Sequence, residues 1–363
     1  CCIFCGSSDL VELFKEDLTV YQSISMIDYP DLNPEIIGYN VQECQGCLTF
    51  QNKYLADLNI LYGHSHIAPV GSIRSNMDLI FSQMIINGVK DIVSTTGDTK
   101  KIIEIGGGLG TLSTILVDHF SDYTIVDPDY TGPLDRRKII KGFCEKINYS
   151  GYQILIMSHV FEHLYEPAKF LNIIKDNING IVNTITDIFI CHPDLDKYLH
   201  GRPQTHNFLH IEHTFYVYND FLRQLFEQIG FKYVNSIDYD NYAVMFHFKK
   251  DITGRDNDIT GCDKTLKDAN VSPRNDPKIT RSIREYFSDL HLRVKYLNDI
   301  ITGRRNKGNI YIWPCSIHSI VLFNNGLKYK DITNVLDNSG TKIGKYLYGI
   351  NLKCLGLKEI LDL

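Results

Sequence analysis

The chain has 363 residues, 44% of them hydrophobic and 22% charged, the balance of a soluble globular protein of two or three domains. Its net charge of −6 and the lack of any basic run exclude a protein whose main task is gripping phosphate backbones, so no polymeric nucleic acid is expected as a partner. No apolar stretch reaches the roughly eighteen residues of a membrane span, so no membrane partner is expected either. The ten cysteines include two tight pairs, which fits a metal site in a reducing compartment, the cytoplasm, better than a disulfide framework. The sequence opens on Cys1-Cys2 without Met or a signal-like start, as expected of one that omits its natural N-terminus.

Residues 1–70 carry Cys2-x-x-Cys5 and Cys44-x-x-Cys47, with 38 residues between the pairs. Two such turns present four thiolates, the tetrahedral set that Zn²⁺ prefers. Cys1 competes with Cys2, but only Cys2 gives the two-residue gap. The intervening stretch is rich in Asp, Asn, Pro and Tyr and is too poor in core to fold alone. A bound zinc, at roughly 10–16 kcal/mol apparent, supplies the missing stability. Four thiolates leave no open position for water, so the expected zinc is structural. Tyr62, His64 and His66 follow as pocket or linker residues. A helix is predicted over 71–97, with Met77, Ile80, Phe81, Met84 and Ile85 on one face, packing in front of the next strand.

That strand, Ile102 to Ile105, runs into Gly106-Gly107-Gly108-Leu109-Gly110 and an amphipathic helix with Leu112, Ile115 and Leu116. A second strand, Tyr123 to Val126, ends in Asp127. Glycines let the backbone turn tightly and approach a ligand. A strand, glycine loop, helix, strand unit places that ligand at the carboxyl edge of a parallel sheet, with an acid near a ribose. A dinucleotide fingerprint needs Gly at position 111, which is Thr here, and this counts against an NAD-dependent oxidoreductase. The stretch resembles motif I of class I methyltransferases, which bind S-adenosylmethionine (SAM). The resemblance implies Gly106, Gly108 and Gly110 against the cofactor, Glu104 facing its amino group, and Asp127 on both ribose hydroxyls.

Beyond a turn-rich loop, Lys138 to Phe143 reads as a third strand whose end, near Cys144 and Glu145, is where an adenine lies in this fold. Gln153 to Met157 is a fourth, running into Ser158-His159-Val160-Phe161-Glu162-His163. Pro167 opens a helix with Phe170, Leu171, Ile174 and Ile178 buried. A strand ending at Ile190 leads to a His-rich irregular span and Ile211-Glu212-His213-Thr214-Phe215-Tyr216. A helix over 218–229 is capped by Gly230, and Lys232 to Ile237 and Tyr242 to Phe248 close the sheet. Strands alternating with helices over 71–250 give a doubly wound parallel sheet with an antiparallel edge. Residues 251–278 read as a linker. A helix from Ile279 to Ile301 then precedes a small unit: strand Asn309–Trp313, helix Ser316–Phe323 and strand Asp331–Leu336. A short strand is expected at Gly349-Ile350-Asn351, with the natural C-terminus missing after it.

Together these parts resemble the sugar C-methyltransferase family. The marks are the two Cys-x-x-Cys pairs, Glu104 to Gly110, Ser158 to His163, Glu212-His213 followed by Thr-Phe-Tyr, and Val335-Leu336-Asp337-Asn338 with Gly344-Lys345 and Leu347-Tyr348-Gly349. The resemblance implies an α/β fold in three parts. These are a zinc-binding segment (1–70), a SAM-binding, Rossmann-like class I methyltransferase domain (71–250) and a smaller C-terminal α/β domain (251–363). It implies a nucleotide-sugar substrate, His213 as base assisted by Glu212, His163 as a second pocket histidine, and Ser158 and His159 with the cofactor. The family's Tyr two residues before the Glu is His210 here, which leaves oxygen or nitrogen methylation of a sugar or another small molecule open. Chemically, a sulfonium donor leaves the protein to position the acceptor and remove a proton, and a histidine near neutral pKa suits that task. A keto group beside the reacting carbon acidifies its C–H, and His163 or His210 can donate to the enolate. A zinc-finger nucleic-acid binder is the remaining alternative, opposed by the acidic balance.

Overall fold

A computed structural model describes residues 1–20, 26–30, 33–63, 72–96, 100–120, 122–179, 184–195, 197, 211–239, 243–252 and 277–361. Tyr62 lies in a described helix without a described side chain, and His64, His66 and His210 lie outside the described residues.

The N-terminal segment contains β1 (Leu10–Val20), β2 (Met26–Ile27), β3 (Ile36–Cys44) and β4 (Phe50–Asn52), followed by the short helix α1 (Leu58–Gly63). β1, β3 and β4 form an antiparallel sheet whose fourth strand comes from far along the chain, β10 (Phe215–Tyr216). The long β1–β3 pairing was not foreseen. Its register is broken twice, between Glu12 and Phe14 and between Glu16 and Thr19, so the sequence loses its strict alternation.

The central sheet has seven strands. β5 (Lys101–Ile105), β6 (Asp122–Val126), β7 (Lys138–Ile140), β8 (Ile154–Ser158) and β9 (Asp187–Pro193) run parallel, and β11 (Phe231–Tyr239) and β12 (Ala243–Lys250) form the antiparallel edge. The order is β11-β12-β9-β8-β5-β6-β7. Ile-rich strands such as Ile154 to Ser158 are buried along their whole length, as a sheet covered on both faces requires. One face is covered by α2 (Ser72–Thr96) and α3 (Thr111–Leu116), through Met77, Phe81, Met84, Ile85, Leu112 and Leu116. Ile80, expected on that stripe, is exposed at its rim, and α2 packs on α3, β9 and β12 rather than squarely before β5. The other face is covered by α4 (Pro167–Ile178) and α5 (Asn219–Gln228), through Phe170, Leu171, Ile174, Leu225 and Phe226. Because β8 and β6 flank β5 on opposite sides, the chain leaves the β5 end in two directions. β5 is thus the switch point of the sheet, the place beside whose carboxyl end such sheets bind ligands.

The third strand is shorter than expected, ending at Ile140, and Cys144 to Lys146 form a 3-10 turn. The C-terminal part has the long helix α6 (Pro277–Arg304), β13 (Tyr311–Ile312), α7 (Ile317–Asn324), β14 (Asn334–Leu336), β15 (Tyr346–Leu347), β16 (Cys354–Leu355) and α8 (Leu357–Leu361). β13, β14 and β16 make a small parallel sheet. Gly349 to Asn351 is a turn rather than the expected strand. Ile350 and Asn351 both donate to the Leu347 carbonyl, and Asn351 has φ of 60°. α6 packs on the N-terminal sheet, where Phe287 stacks flat on Phe14, and β15 pairs with β2. Among the described residues, no helix is long and apolar enough to cross a membrane.

Candidate functional site

The loop after β5 is held in a shape that only glycine permits. Gly106 and Gly110 have φ of 73° and 72°, and a Cβ on Gly106 would meet Val160 Cγ2 at 2.2 Å. Gly108 faces open space instead. Its N–H donates to Asp127 Oδ2 at 2.8 Å, and the N–H of Asp129 donates to Oδ1 at 2.7 Å. The Asp127 carboxylate, at the end of β6, is therefore fixed beside the glycine loop by backbone donors. Glu104 is buried in β5 and accepts a hydrogen bond from the Tyr123 hydroxyl at 2.8 Å. Burial and then the Glu104 charge push that phenol well above its ordinary pKa.

Two clamps here were not anticipated. The buried Arg137 donates to Ser113 Oγ at 2.6 Å and is held by Asp135 at 2.6 Å, tying the β6–β7 loop to the start of α3. Thr111, the residue that breaks the dinucleotide pattern, donates to Asp78 of α2. Cys144, near the expected adenine position, is buried, and burial raises its thiol pKa.

The second half of the site lies past the end of β8. Ser158 is its last residue and is buried, and His159 follows with φ of 55°. His159 Nδ1 lies 3.1 Å from Glu162 Oε1, while its Nε2 lies 3.4 Å from Met77 Sδ and 3.5 Å from Cys191 Sγ. His163 Nδ1 lies 3.0 Å from the Glu212 carbonyl oxygen. A carbonyl only accepts, so Nδ1 carries the proton and Nε2 is the other nitrogen of that ring. The His163 and His213 rings meet edge to face with centroids 4.8 Å apart.

Ile211 and Glu212 form a turn just before His213. Thr214 locks it to the 3-10 turn after β8, donating from N to Glu162 O at 2.9 Å and from Oγ1 to Leu164 O at 2.7 Å. From the other side, Asn52 Nδ2 donates to His213 O at 2.6 Å, and the Asn52 N–H donates to Thr214 O at 2.9 Å.

Three donor groups converge here: one atom each from Glu162, His163 and His213 lies within 4.8 Å of the others. The carboxylate of this group is Glu162, which the sequence reading left without a role although it sits inside the Ser158–His163 motif. Burial alone would raise its carboxyl. The hydrogen bond from His159 and the electrostatic influence of His159 and His163 outweigh this and hold it at about 2. Glu212 is also buried. Tyr39 and Tyr216, whose hydroxyls lie 3.3 Å apart, are pushed up in pKa chiefly by burial, and the Glu212 charge adds to this.

The four expected cysteines come together where β3 ends and β4 begins. Cys2 Sγ lies 3.5 Å from Cys47 Sγ, and Cys5 Sγ lies 3.5 Å from Cys44 Sγ. All four sulfurs lie within 4.8 Å of one another, and none is in a disulfide. Sulfurs about 2.3 Å from a central zinc are about 3.8 Å apart, so the donor set has the chemistry and nearly the spacing for that ion.

Residues 82–236 match the model of a family described as a methyltransferase domain. A comparison with curated protein sequences gives no significant match. Among solved structures, a SAM-dependent methyltransferase from Aquifex aeolicus is similar, with 14% identity, 49% of this chain and 93% of that chain covered, and a TM-score of 0.35. The magnesium protoporphyrin IX methyltransferase of Synechocystis PCC 6803 with bound SAH is similar at 12% identity, with 51% and 90% covered and a TM-score of 0.34. Residues 82–236, which match the methyltransferase-domain model, carry their glycine loop at the switch point of a parallel sheet.

Proposed function

We propose that the protein transfers a methyl group from SAM to a carbon of a nucleotide-linked keto sugar. We read the chain as a zinc-binding segment over 1–70, the methyltransferase domain over 71–250 and an α/β domain over 251–363. The observation that carries the proposal is the meeting of His163 and His213 beyond β8, the strand next to β5, whose glycine loop is hydrogen-bonded to Asp127 at the end of β6. When bound, SAM supplies an electrophilic methyl group. Asp127 holds its ribose, Glu104 its amino group, and the open face of Gly108 admits it closely. His213 takes the proton from the carbon beside the keto group, and His163, whose Nδ1–H is held by the Glu212 carbonyl, donates from a protonated Nε2 to the oxygen of the enolate. The four cysteines hold one structural zinc, which sustains the sheet that carries Asn52.

Incubation with [methyl-¹³C]SAM and a panel of nucleotide keto sugars tests this by NMR. A new methyl signal on the carbon beside the keto group is expected. A signal on oxygen or nitrogen would replace the acceptor while keeping the enzyme class. SAM binding with no transfer to any sugar would overturn the substrate class.

A further inference from the structure

Glu162 is a buried carboxylate with only half of its hydrogen-bonding capacity used. Oε1 is paired with His159, and Oε2 is shielded from solvent with no hydrogen-bond partner. An ionised carboxylate in that state is costly unless a positive charge or a donor comes to it. The available groups are the imidazoles of His163 and His213, whose ring nitrogens lie within 4.8 Å of the Glu162 donor atom. Glu212 contributes its carbonyl oxygen to His163, while its carboxylate acts on Tyr39 and Tyr216. Around the cluster, β9 contributes His192 and the chain just after it Asp194, β3 contributes Tyr39, β10 contributes Tyr216, and the β8 end contributes His159. His192 is kept neutral by burial, although the charges of Glu162 and Asp194 favour its protonation.

We propose that Glu162, rather than Glu212, is the carboxylate that sets the proton affinity of the His163–His213 pair and stabilises the imidazolium formed when a substrate proton is taken. The inference rests on the reading of this pair as the proton acceptor. Glu162 acts through the histidines and is a positioning residue. The step it supports is balanced: a C–H bond breaks, its electrons remain on the substrate as an enolate, and the proton moves to an imidazole nitrogen. The resulting cation lies beside a carboxylate that already has an unmatched oxygen. The sequence gap explains the geometry: Glu162 and His163 sit in one 3-10 turn, and Thr214 staples that turn to the one carrying His213.

The test is an NMR titration of ¹⁵N-labelled imidazoles in the full-length, zinc-loaded protein without substrate. The two histidines titrate as a coupled pair, so the apparent pKa values of the pair are followed. Glu162→Gln is expected to lower the proton affinity of the pair by about tenfold or more, the effect of losing an opposite charge at this range. Glu212→Gln is expected to move it less, and calorimetry should find SAM affinity unchanged in Glu162→Gln. Unchanged apparent pKa values in Glu162→Gln, or a larger shift in Glu212→Gln, would overturn the proposal. So would stoichiometric Mn²⁺ broadening of these resonances that vanishes in Glu162→Gln, because the cluster would then be a cation site. Loss of the base reading is separable: it would appear as solvent exchange that survives His213→Asn while the Glu162→Gln shift stands.

Discussion

The side-chain amide of Asn52 donates to the carbonyl oxygen of His213 at 2.6 Å. Asn52 ends β4, the strand that follows the second cysteine pair, and β10 just after His213 joins the same sheet. The cysteine-rich segment therefore grips the backbone of the proposed base, and its integrity should be felt in turnover. Asn52→Ala leaves the His213 carbonyl without this donor and loosens the loop. Displacement of a catalytic group by an ångström costs on the order of 10² in rate. The expected result is a fall in kcat of about tenfold to a hundredfold with little change in SAM affinity. Wild-type kcat in Asn52→Ala would separate the two regions.

Metal analysis of the purified protein should find about one zinc per chain. Chelation under reducing conditions, or Cys44→Ser, should lower the melting temperature and reduce turnover, while the central sheet retains its far-ultraviolet signal. Protein that neither contains zinc nor takes it up when reduced would rule out the metal site.

Asp127→Ala removes the proposed ribose acceptor and also frees the Gly108 and Asp129 N–H groups that the carboxylate fixes. Charge-assisted hydrogen bonds contribute about 1.5–3 kcal/mol each, so the SAM Kd should rise at least tenfold. Glu104→Ala should weaken binding too. Titration calorimetry returning wild-type affinity for both variants would remove the cofactor pose.

His192 supplies a pH dependence of stability. Its ring is buried against Phe246, and desolvation lowers its pKa from 6.5 to about 4 despite the raising influence of Glu162 and Asp194. Between those values the unfolded chain binds a proton that the folded chain refuses, so stability falls as pH drops from about 6.5 towards 4. The loss from this residue amounts to at most about 3 kcal/mol. Urea unfolding of His192→Phe should show a flatter change between pH 7 and pH 5 than the wild type. An unchanged slope would assign the acid sensitivity to other groups.

What the sequence revealed was local in origin. The glycine loop, the paired cysteines and the helix over 72–96 each follow from spacing within one segment, and the structure forms each of them, with α2 packed chiefly on α3, β9 and β12. What it concealed depends on partners far along the chain. β1 is a strand because β3 pairs with it across two register shifts, and Phe14 stacks against Phe287. Gly349 to Asn351 reads as extended but closes a turn on Leu347, and the strand falls at Cys354 and Leu355. At the site, the Glu beside His in the sequence drew attention to Glu212. The carboxylate that converges on both histidines is Glu162, brought there by Thr214. No periodicity reports such a contact.

Solvent exchange tests the central claim most directly, that His213 removes a proton from carbon. A nucleotide keto sugar is incubated with the enzyme in ²H₂O without SAM, and deuterium at the carbon beside the keto group is followed by NMR. Wild-type enzyme should wash deuterium into that position, and His213→Asn should stop it while SAM binding persists. The loss should be on the order of 10²–10⁴ in rate, the usual contribution of a general base. Exchange at the wild-type rate in His213→Asn would contradict the assignment. An absence of exchange in wild-type enzyme that still transfers methyl groups would contradict carbon as the acceptor.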